Sequence, residues 1–176
     1  MRVQGTLQLP GDKSISHRAI MLSAIADGVS YVKNLNDGAD LQSTINILRD
    51  CGASIDHKEY ELVINGKKLH SPSKDLDCGN SGTTTRLVAG LLASQKLTFS
   101  LIGDESLSKR PMKRIITPLT SMGCKISSNN GLLPFSIDAS DGTSAIDFNM
   151  KVASAQVKSC ILFYALGGNN VSSINE

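Results

Sequence analysis

The stretch Gly11–Arg18, Gly-Asp-Lys-Ser-Ile-Ser-His-Arg, has a counterpart in Gly79–Arg86, Gly-Asn-Ser-Gly-Thr-Thr-Thr-Arg. Each stretch is a turn rich in glycine or hydroxyl residues that ends in arginine and leads into an apolar segment. These apolar segments, residues 19–26 and 87–94, predict two helices. Segments 11–66 and 79–138 then continue with the same order of features, which indicates an internal repeat.

After its first helix, each copy of the repeat continues with a strand, an acidic turn, a second helix and a pair of strands. The sequence predicts strands at 30–35 and 97–102, acidic turns at Asp37 and Asp104, and second helices at 39–51 and 111–122. Each second helix ends at a glycine, Gly52 or Gly123, which suits the left-handed C-cap position. Asn65-Gly66 and Asn130-Gly131 predict hairpin turns, and 6–9 and 76–78 supply the opening strands.

A third copy of the repeat begins near Ala145 and stops at Glu176, close to its midpoint. The pattern therefore predicts an α/β (α+β) fold built from β-α-β-α-β-β units, with about two and a half units present. We expect an N-terminal strand or crossover at 1–10, one unit at 11–70, a second at 71–140 and an incomplete third at 141–176.

Composition excludes several classes of function. Eighteen Lys and Arg against 16 Asp and Glu give a net charge of +2, and three Tyr, four Phe and no Trp leave little for base stacking, so we expect no nucleic-acid binding. No apolar run approaches the ~20 residues of a membrane span, and no signal peptide opens the chain, which favours the cytoplasm. The four scattered cysteines predict buried thiols rather than a metal site.

The turn at residues 10–18 offers backbone N–H groups, two hydroxyls and the cations Lys13 and Arg18 close to a helix start. Such a turn can hold a phosphate or carboxylate, with lysine as a point charge and arginine as a bidentate fork. A helix cap flanked by solvated basic residues explains the same pattern.

The turn at residues 79–85 repeats the arrangement with two glycines and four hydroxyl residues, and it lacks the lysine of a Walker loop. A capping role is the alternative, and Arg86 either faces a ligand or anchors the turn. Farther along, Pro111 is expected in the first turn of a helix, where it would aim Arg110 at an anion. The three histidines show no catalytic spacing, and ordinary core or surface roles are expected for them.

Together these segments resemble the enolpyruvyl transferase family. In that family Pro-Gly-(Asp/Ser)-Lys-Ser-x-(Ser/Thr)-(His/Asn)-Arg, Gly-Asn-(Ser/Ala)-Gly-Thr-x-x-Arg and a Lys/Arg-Arg-Pro-Met/Ile segment occur in this order. Ser154-Ala155-Gln156 is similar to the family's Ser-(Ser/Ala)-Gln element. The first motif resembles the shikimate-type branch. The sister branch, which acts on UDP-N-acetylglucosamine, uses a loop cysteine, and Ser106–Met112 contains none.

The resemblance implies transfer of the enolpyruvyl group from phosphoenolpyruvate to shikimate 3-phosphate, with release of phosphate, in aromatic amino acid biosynthesis. It implies no metal or organic cofactor and a monomer at full length. By position, the shikimate 3-phosphate residues would be Lys13, Ser14, Arg18, Ser154, Ala155 and Gln156. Those for phosphoenolpyruvate would be Lys13, Gly82, Thr83, Arg110 and Gln156.

The family fold is an inside-out α/β barrel of two domains, each of three β-α-β-α-β-β units. This chain would supply part of one domain and lack the other. The general acid and base are expected beyond Glu176, so the isolated chain is expected to be inactive. Two alternatives stay open, a non-catalytic phosphate or anion-binding module and a UDP-N-acetylglucosamine enolpyruvyl transferase relative.

Overall fold

A computed structural model describes residues 4–7, 9–59 and 61–176. The first part of the chain contains α1 (Lys13–Ile25), β1 (Gly28–Lys33), α2 (Ala39–Asp50), β2 (Ser54–His57) and β3 (Glu61–Gly66). The second contains β4 (Leu76–Asp77), α3 (Gly82–Ser94), β5 (Thr98–Ile102), α4 (Glu105–Ser108), α5 (Lys113–Ser121), β6 (Lys125–Asn129) and β7 (Leu132–Asp138). The last contains β8 (Asp147–Asn149), α6 (Ala155–Ala165) and β9 (Ser173–Asn175).

The strands form three separate sheets. The first has the order β1-β3-β2 and is antiparallel throughout, with Tyr31 opposite Val63 and Ile55 opposite Ile64. The second has the order β4-β5-β7-β6, in which only β4 and β5 run parallel. The third is a parallel pair of β8 and β9.

Helix α3 forms the centre of the core. Twelve of its 13 residues are buried, and it packs against α6 most extensively, as well as against α1 and α2. The approach to α6 is close because a Cβ added at Gly90 would lie 2.1 Å from the carbonyl oxygen of Cys160. A helix that is buried on all sides needs apolar residues around its whole circumference, and the sequence from Leu87 to Ala93 supplies them.

Helices α1 and α3 begin earlier than the sequence predicted. The side chain of Asp12 accepts a hydrogen bond from the backbone N–H of Ile15 at 2.8 Å, so α1 begins at Lys13 rather than at residue 19. Ser81 caps α3 in the same way through the N–H of Thr84 at 3.1 Å. Most of the residues predicted to be turn residues therefore form the first turns of helices.

Other predictions were wrong in detail. Pro111 precedes α5 instead of lying in its first turn, and α4 was not predicted. Residues 6, 7 and 9 form no strand, and Gln8 lies outside the described residues. Asn65 and Gly66 end strand β3 instead of forming a turn.

Two of the turn and cap predictions are confirmed. Asn130 and Gly131 join β6 to β7 with φ angles of 54° and 77°, the left-handed values that a tight hairpin needs. Gly52 and Gly123 follow α2 and α5 with φ angles of 92° and 114°. The four cysteines are buried as expected, and burial raises the pKa of the Cys124 thiol to about 11. No helix in the described ranges has both the length and the apolar character that a bilayer crossing requires.

Candidate anion-binding site

The N-termini of α1, α3 and α6 carry side-chain caps and lie near one another. Asp12, Ser81 and Ser154 each accept a hydrogen bond from a backbone N–H in the first turn of their helix. Side chains join the helices at this end, since Gln156 of α6 donates to Thr83 of α3 at 2.9 Å. Unpaired N–H groups at a helix start favour negative charge, so three such starts in one region favour an anion.

Arg18 links the start of α1 to α6. Its Nη2 and Nε donate to the hydroxyl of Ser159 at 2.7 and 3.2 Å, and its Nη1 donates to the carbonyl oxygen of Ser14 at 2.9 Å. Ser159 in turn donates to the carbonyl oxygen of Ala155 at 2.7 Å. The guanidinium is therefore oriented by neutral groups, which leave its charge available to an anion.

Lys13 is held by a carboxylate. Its ammonium lies 2.7 Å from Asp40 Oδ2, at the first turn of α2, and the lysine side chain is about half exposed (49%). An exposed ion pair of this kind contributes little to stability, so an incoming phosphate can compete with Asp40 for the ammonium. The structure thus places Lys13 on the α2 side of the site.

Arg86 lies between the turn at residues 79–85 and helix α6. Its Nη1 donates to Gln156 Oε1 at 2.8 Å and to the carbonyl oxygen of Gly82 at 3.3 Å. A Cβ added at Gly82 would lie 2.7 Å from Arg86 Nη1 and 3.6 Å from Arg110 Nη1. The missing side chain at residue 82 therefore lets the Arg86 guanidinium approach the first turn of α3, while Arg110 lies at ordinary van der Waals distance from the same position.

Arg110 reaches the same region from the other side. It donates to the carbonyl oxygen of Asn80 at 3.2 Å, to the side-chain oxygen of Asn80, and to Ser106 Oγ at 3.2 Å. The amide of Asn80 donates to Asp104 Oδ2 at 2.6 Å. Hydrogen bonds from the backbone N–H of Leu107 and from Asn80 hold the pKa of Asp104 below its ordinary value. Asn80 thus separates the carboxylate from the guanidinium.

Arg86, Arg110 and Arg114 lie close enough to influence one another electrostatically. Burial lowers the pKa of Arg86, and the neighbouring charges of Arg110 and Arg114 lower it further. Within residues 4–7, 9–59 and 61–176, no carboxylate forms an ion pair with any of these three arginines. Guanidinium groups that have no ion-pair partner are stabilised by a bound anion.

Most of the site residues expected from the sequence fall into two groups in the structure. Gly82, Thr83, Arg110 and Gln156 lie around Arg86, while Lys13, Ser14 and Arg18 lie on the first two turns of α1. Ser154 caps α6, and Ala155 is exposed at its first position.

Sequence reasoning did not single out Asp40, Asn80 and Ser159, and it left the role of Arg86 open. Of these, only Arg86 gave a usable signal, because it ends the second turn as Arg18 ends the first.

Fold and site together place the chain among α/β proteins of the enolpyruvyl transferase type. A family model described as EPSP synthase (3-phosphoshikimate 1-carboxyvinyltransferase) matches residues 1–176, and the chain belongs to that family. This match confirms the resemblance to the shikimate-type branch.

Relatives named 3-phosphoshikimate 1-carboxyvinyltransferase agree. That of Ruthia magnifica subsp. Calyptogena magnifica is 46% identical over 177 residues, covering 99% of this chain and 41% of the relative. That of Streptococcus pyogenes serotype M1 is 46% identical over 179 residues, covering 99% and 42%. The chain therefore spans about two-fifths of the length of these relatives.

Solved structures agree as well. EPSP synthase from Acinetobacter baumannii superposes with a TM-score of 0.92 at 42% identity, covering 98% of this chain and 40% of that one. The α/β fold class predicted from the repeat is confirmed by this superposition.

Proposed function

We propose that this chain forms part of the substrate site of an enzyme that transfers the enolpyruvyl group from phosphoenolpyruvate to shikimate 3-phosphate, giving 5-enolpyruvylshikimate 3-phosphate and phosphate. One observation carries the proposal: Arg86 and Arg110 converge on the first turn of α3, and neither forms an ion pair with a carboxylate among the described residues. Family membership supplies the reaction. The setting that we propose is the cytoplasm, with a monomeric full-length enzyme.

Phosphoenolpyruvate fits the arginine group around α3. Its phosphate and its carboxylate each offer two or more negatively charged oxygens, and a guanidinium group binds such oxygens with a pair of parallel hydrogen bonds. We assign this ligand to Gly82, Thr83, Arg110 and Gln156, as the family resemblance implies, and add Arg86. Lys13 would reach it once released from Asp40.

Shikimate 3-phosphate fits the neighbouring helix starts. Lys13, Ser14 and Arg18 on α1 and Ser154, Ala155 and Gln156 on α6 would surround its phosphate, with the backbone N–H of residue 155 as a donor. Gln156 lies beside both groups, because it already contacts Thr83 and Arg86 of α3. Ser159 would orient Arg18 toward this phosphate.

The chemistry that these residues contribute is positioning and charge stabilisation. Two multiply charged anions repel each other, and preorganised cations and helix starts offset this repulsion while holding the reacting atoms together. Arg110 and Lys13 would also stabilise the phosphate that leaves. The proton transfers to and from the methylene carbon need an acid and a base. We propose that these groups belong to the part of the relatives that this chain does not match.

Calorimetric titration of the chain with shikimate 3-phosphate tests the binding half of the proposal. Arg18→Gln removes the cation at α1 and is expected to weaken binding about tenfold or more, because a charge-assisted bidentate contact is lost. Lys125→Gln is the matched control, since it removes a cation whose only described ion pair is with Asp141 on the surface. Tighter binding of UDP-N-acetylglucosamine would favour the sister branch instead.

A chimaera tests the reaction itself. In it, this chain replaces the matched two-fifths of the Acinetobacter baumannii EPSP synthase, and phosphate release is measured with both substrates. Activity that disappears in Arg110→Gln supports the enzymatic proposal. A well-folded chimaera that binds shikimate 3-phosphate but releases no phosphate would indicate a non-catalytic anion-binding module.

A further inference from the structure

Four buried polar side chains form a hydrogen-bonded network, called here the buried network, that connects α1, α2 and α3 beneath the site. His17, Thr44, Thr84 and Ser81 have no exposed surface. His17 Nδ1 lies 2.8 Å from Thr44 Oγ1, which lies 2.9 Å from Thr84 Oγ1. Thr84 Oγ1 is 2.7 Å from the oxygen of its helix cap, Ser81. None of the four belongs to the residues assigned above to either substrate.

The hydrogen bonds of the buried network have a defined donor-to-acceptor direction. Thr84 Oγ1 also lies 3.1 Å from the carbonyl oxygen of Asp40, and a carbonyl oxygen can only accept. Thr84 Oγ1 also donates to Ser81 Oγ, and either of these bonds uses its single proton. Thr44 therefore donates to Thr84, and His17 donates to Thr44 from Nδ1. The geometry thus favours one neutral tautomer of His17, with the proton on Nδ1 and a lone pair on Nε2.

His17 is retained in the core at a cost. Its Nε2 is buried and has no hydrogen-bond partner within the part of the chain that the structure describes. Burial lowers the pKa of His17 to about 4, and the charges of Lys13 and Arg18 act in the same direction against the carboxylate of Asp40. The ring is therefore neutral at neutral pH. An apolar side chain would avoid this cost, so the ring is more than a filler of space.

We infer that His17, Thr44 and Thr84 are positioning residues that fix the start of α1 relative to the start of α3. His17 precedes Arg18, and Thr84 follows Gly82 and Thr83. The buried network therefore links the backbone segments that carry the two proposed groups of substrate-binding residues. Thr44 on α2 is the bridge, and the same helix holds Asp40, the partner of Lys13. The inference rests on the proposed function only in the identity of the two ligands.

The consequence for binding follows from geometry. Ligands that must react with each other require their two subsites at a fixed separation, and a displacement of about 1 Å costs roughly 100-fold in rate. A helix start positioned only by apolar packing can slide or rotate, whereas hydrogen bonds at 2.7 to 2.9 Å define both distance and direction.

Two substitutions at Thr44 separate positioning from bulk packing. Thr44→Val keeps the volume and removes the hydroxyl, while Thr44→Ser keeps the hydroxyl and removes a buried methyl. Ser94→Ala is the control, because it removes a buried hydroxyl at the far end of α3. The described hydrogen bonds of this hydroxyl are local, to the carbonyl oxygen of Leu91 and from the side-chain amide of Gln95.

NMR spectra of the ligand-free protein, recorded for the histidine ring nitrogens and for the backbone amides, give the first readout. In Thr44→Val we expect the Nδ1-protonated signature of His17 to be lost and the amide signals of Gly82 and Thr83 to shift. In Thr44→Ser both should stay close to those of the parent chain. Unchanged Gly82 and Thr83 signals in Thr44→Val, or equal shifts in Ser94→Ala, would overturn the inference.

Titration with shikimate 3-phosphate gives the second readout. Thr44→Val is expected to bind about tenfold more weakly than the parent, while Thr44→Ser binds within about twofold of it despite lower stability. Affinity that follows stability across the variants instead would reduce Thr44 to a packing residue. If the parent protein does not bind this ligand, the proposed function fails. The NMR result still decides whether the buried network positions the start of α3.

Discussion

The side-chain oxygen of Gln156 accepts a hydrogen bond from Arg86 Nη1 at 2.8 Å, although the two residues are 70 positions apart in the sequence. The contact joins the first turn of α6 to the first turns of α3. Because Gln156 is neutral, it orients the guanidinium without cancelling its charge. A carboxylate at the same place would orient Arg86 equally well. It would also neutralise the positive charge of Arg86, which we propose binds phosphoenolpyruvate.

Gln156→Glu should therefore weaken the binding of phosphoenolpyruvate by about tenfold, equivalent to about 1.4 kcal/mol, while stability changes little. Titration calorimetry at constant ionic strength measures this effect. Gln42→Glu is the matched control, since Gln42 is exposed on α2 and its side chain bonds to Asn46 of the same helix. Equal losses in both variants would mean that overall charge, rather than the pairing with Arg86, governs affinity.

Gly82→Ala should displace Arg86. The new Cβ would lie 2.7 Å from Nη1, and the guanidinium is the mobile end of a long side chain, so it moves while the helix stays in place. We expect phosphoenolpyruvate binding to weaken by about three- to tenfold through loss of one oriented charge-assisted contact, with unfolding free energy unchanged or slightly higher because alanine favours the helix.

The comparison for Gly82→Ala is Gly168→Ala, where the nearest atom to a new Cβ is a methyl group of Thr143 at 3.4 Å. Binding should be unaffected in that variant. If Gly82→Ala binds phosphoenolpyruvate as the parent does, Arg86 is not part of the ligand site.

The sequence predicted the repeat, α2 nearly to its ends and the Asn130-Gly131 hairpin, because periodicity and turn chemistry are local properties. It failed at Asn65-Gly66 for a tertiary reason. A Cβ at Gly66 would lie 1.9 Å from the carbonyl oxygen of Ala26, so this glycine permits close approach to the end of α1 instead of forming a turn. The same residue pair thus serves two different purposes in the two copies.

The candidate site was predictable where it lies within one motif and unpredictable where it joins distant ones. Gly82, Thr83 and Arg110 lie in or beside turns that the sequence marks. The bond between Arg18 and Ser159 spans 141 positions, and the ion pair between Lys13 and Asp40 spans 27. Such pairs depend on how α1, α2 and α6 pack, which no local pattern encodes.

His17 should make the stability of the chain fall in mild acid. Its pKa is about 4 in the folded chain against about 6.5 when unfolded, so between these values the unfolded state binds a proton that the folded state excludes. This contribution is fully present above pH ~6.5 and is lost as the pH falls toward ~4, for a total of up to about 3 kcal/mol. Below that range both states are protonated and His17 adds no further loss.

Urea unfolding from neutral pH down to about pH 4 measures the slope. In His17→Asn the slope should be shallower than in the parent chain, because the titrating ring is gone, whatever the absolute stability of the variant. His57→Asn, at an exposed position on β2, should retain the parent slope. Parallel pH curves for His17→Asn and the parent would contradict the assignment of a buried neutral ring.

Gly90→Ala should separate α3 from α6. Alanine normally stabilises a helix by about 1 kcal/mol relative to glycine, but here its Cβ would lie 2.1 Å from the Cys160 carbonyl oxygen and 3.0 Å from the Cys160 Cα. These are backbone atoms of the neighbouring helix, so the clash is relieved only when one helix moves. We expect a net loss of about 2 to 3 kcal/mol in unfolding free energy.

The expected loss does not depend on the side chain at residue 160, because the clash is with the backbone. Cys160→Ala added to Gly90→Ala should therefore give no rescue, and recovery of stability in the double variant would show that the side chain sets the helix separation. The displacement should also break the bond from Gln156 to Thr83, since both residues lie at the starts of these two helices. In Gly90→Ala the affinity for both proposed substrates should thus fall together, even under conditions in which the variant is fully folded.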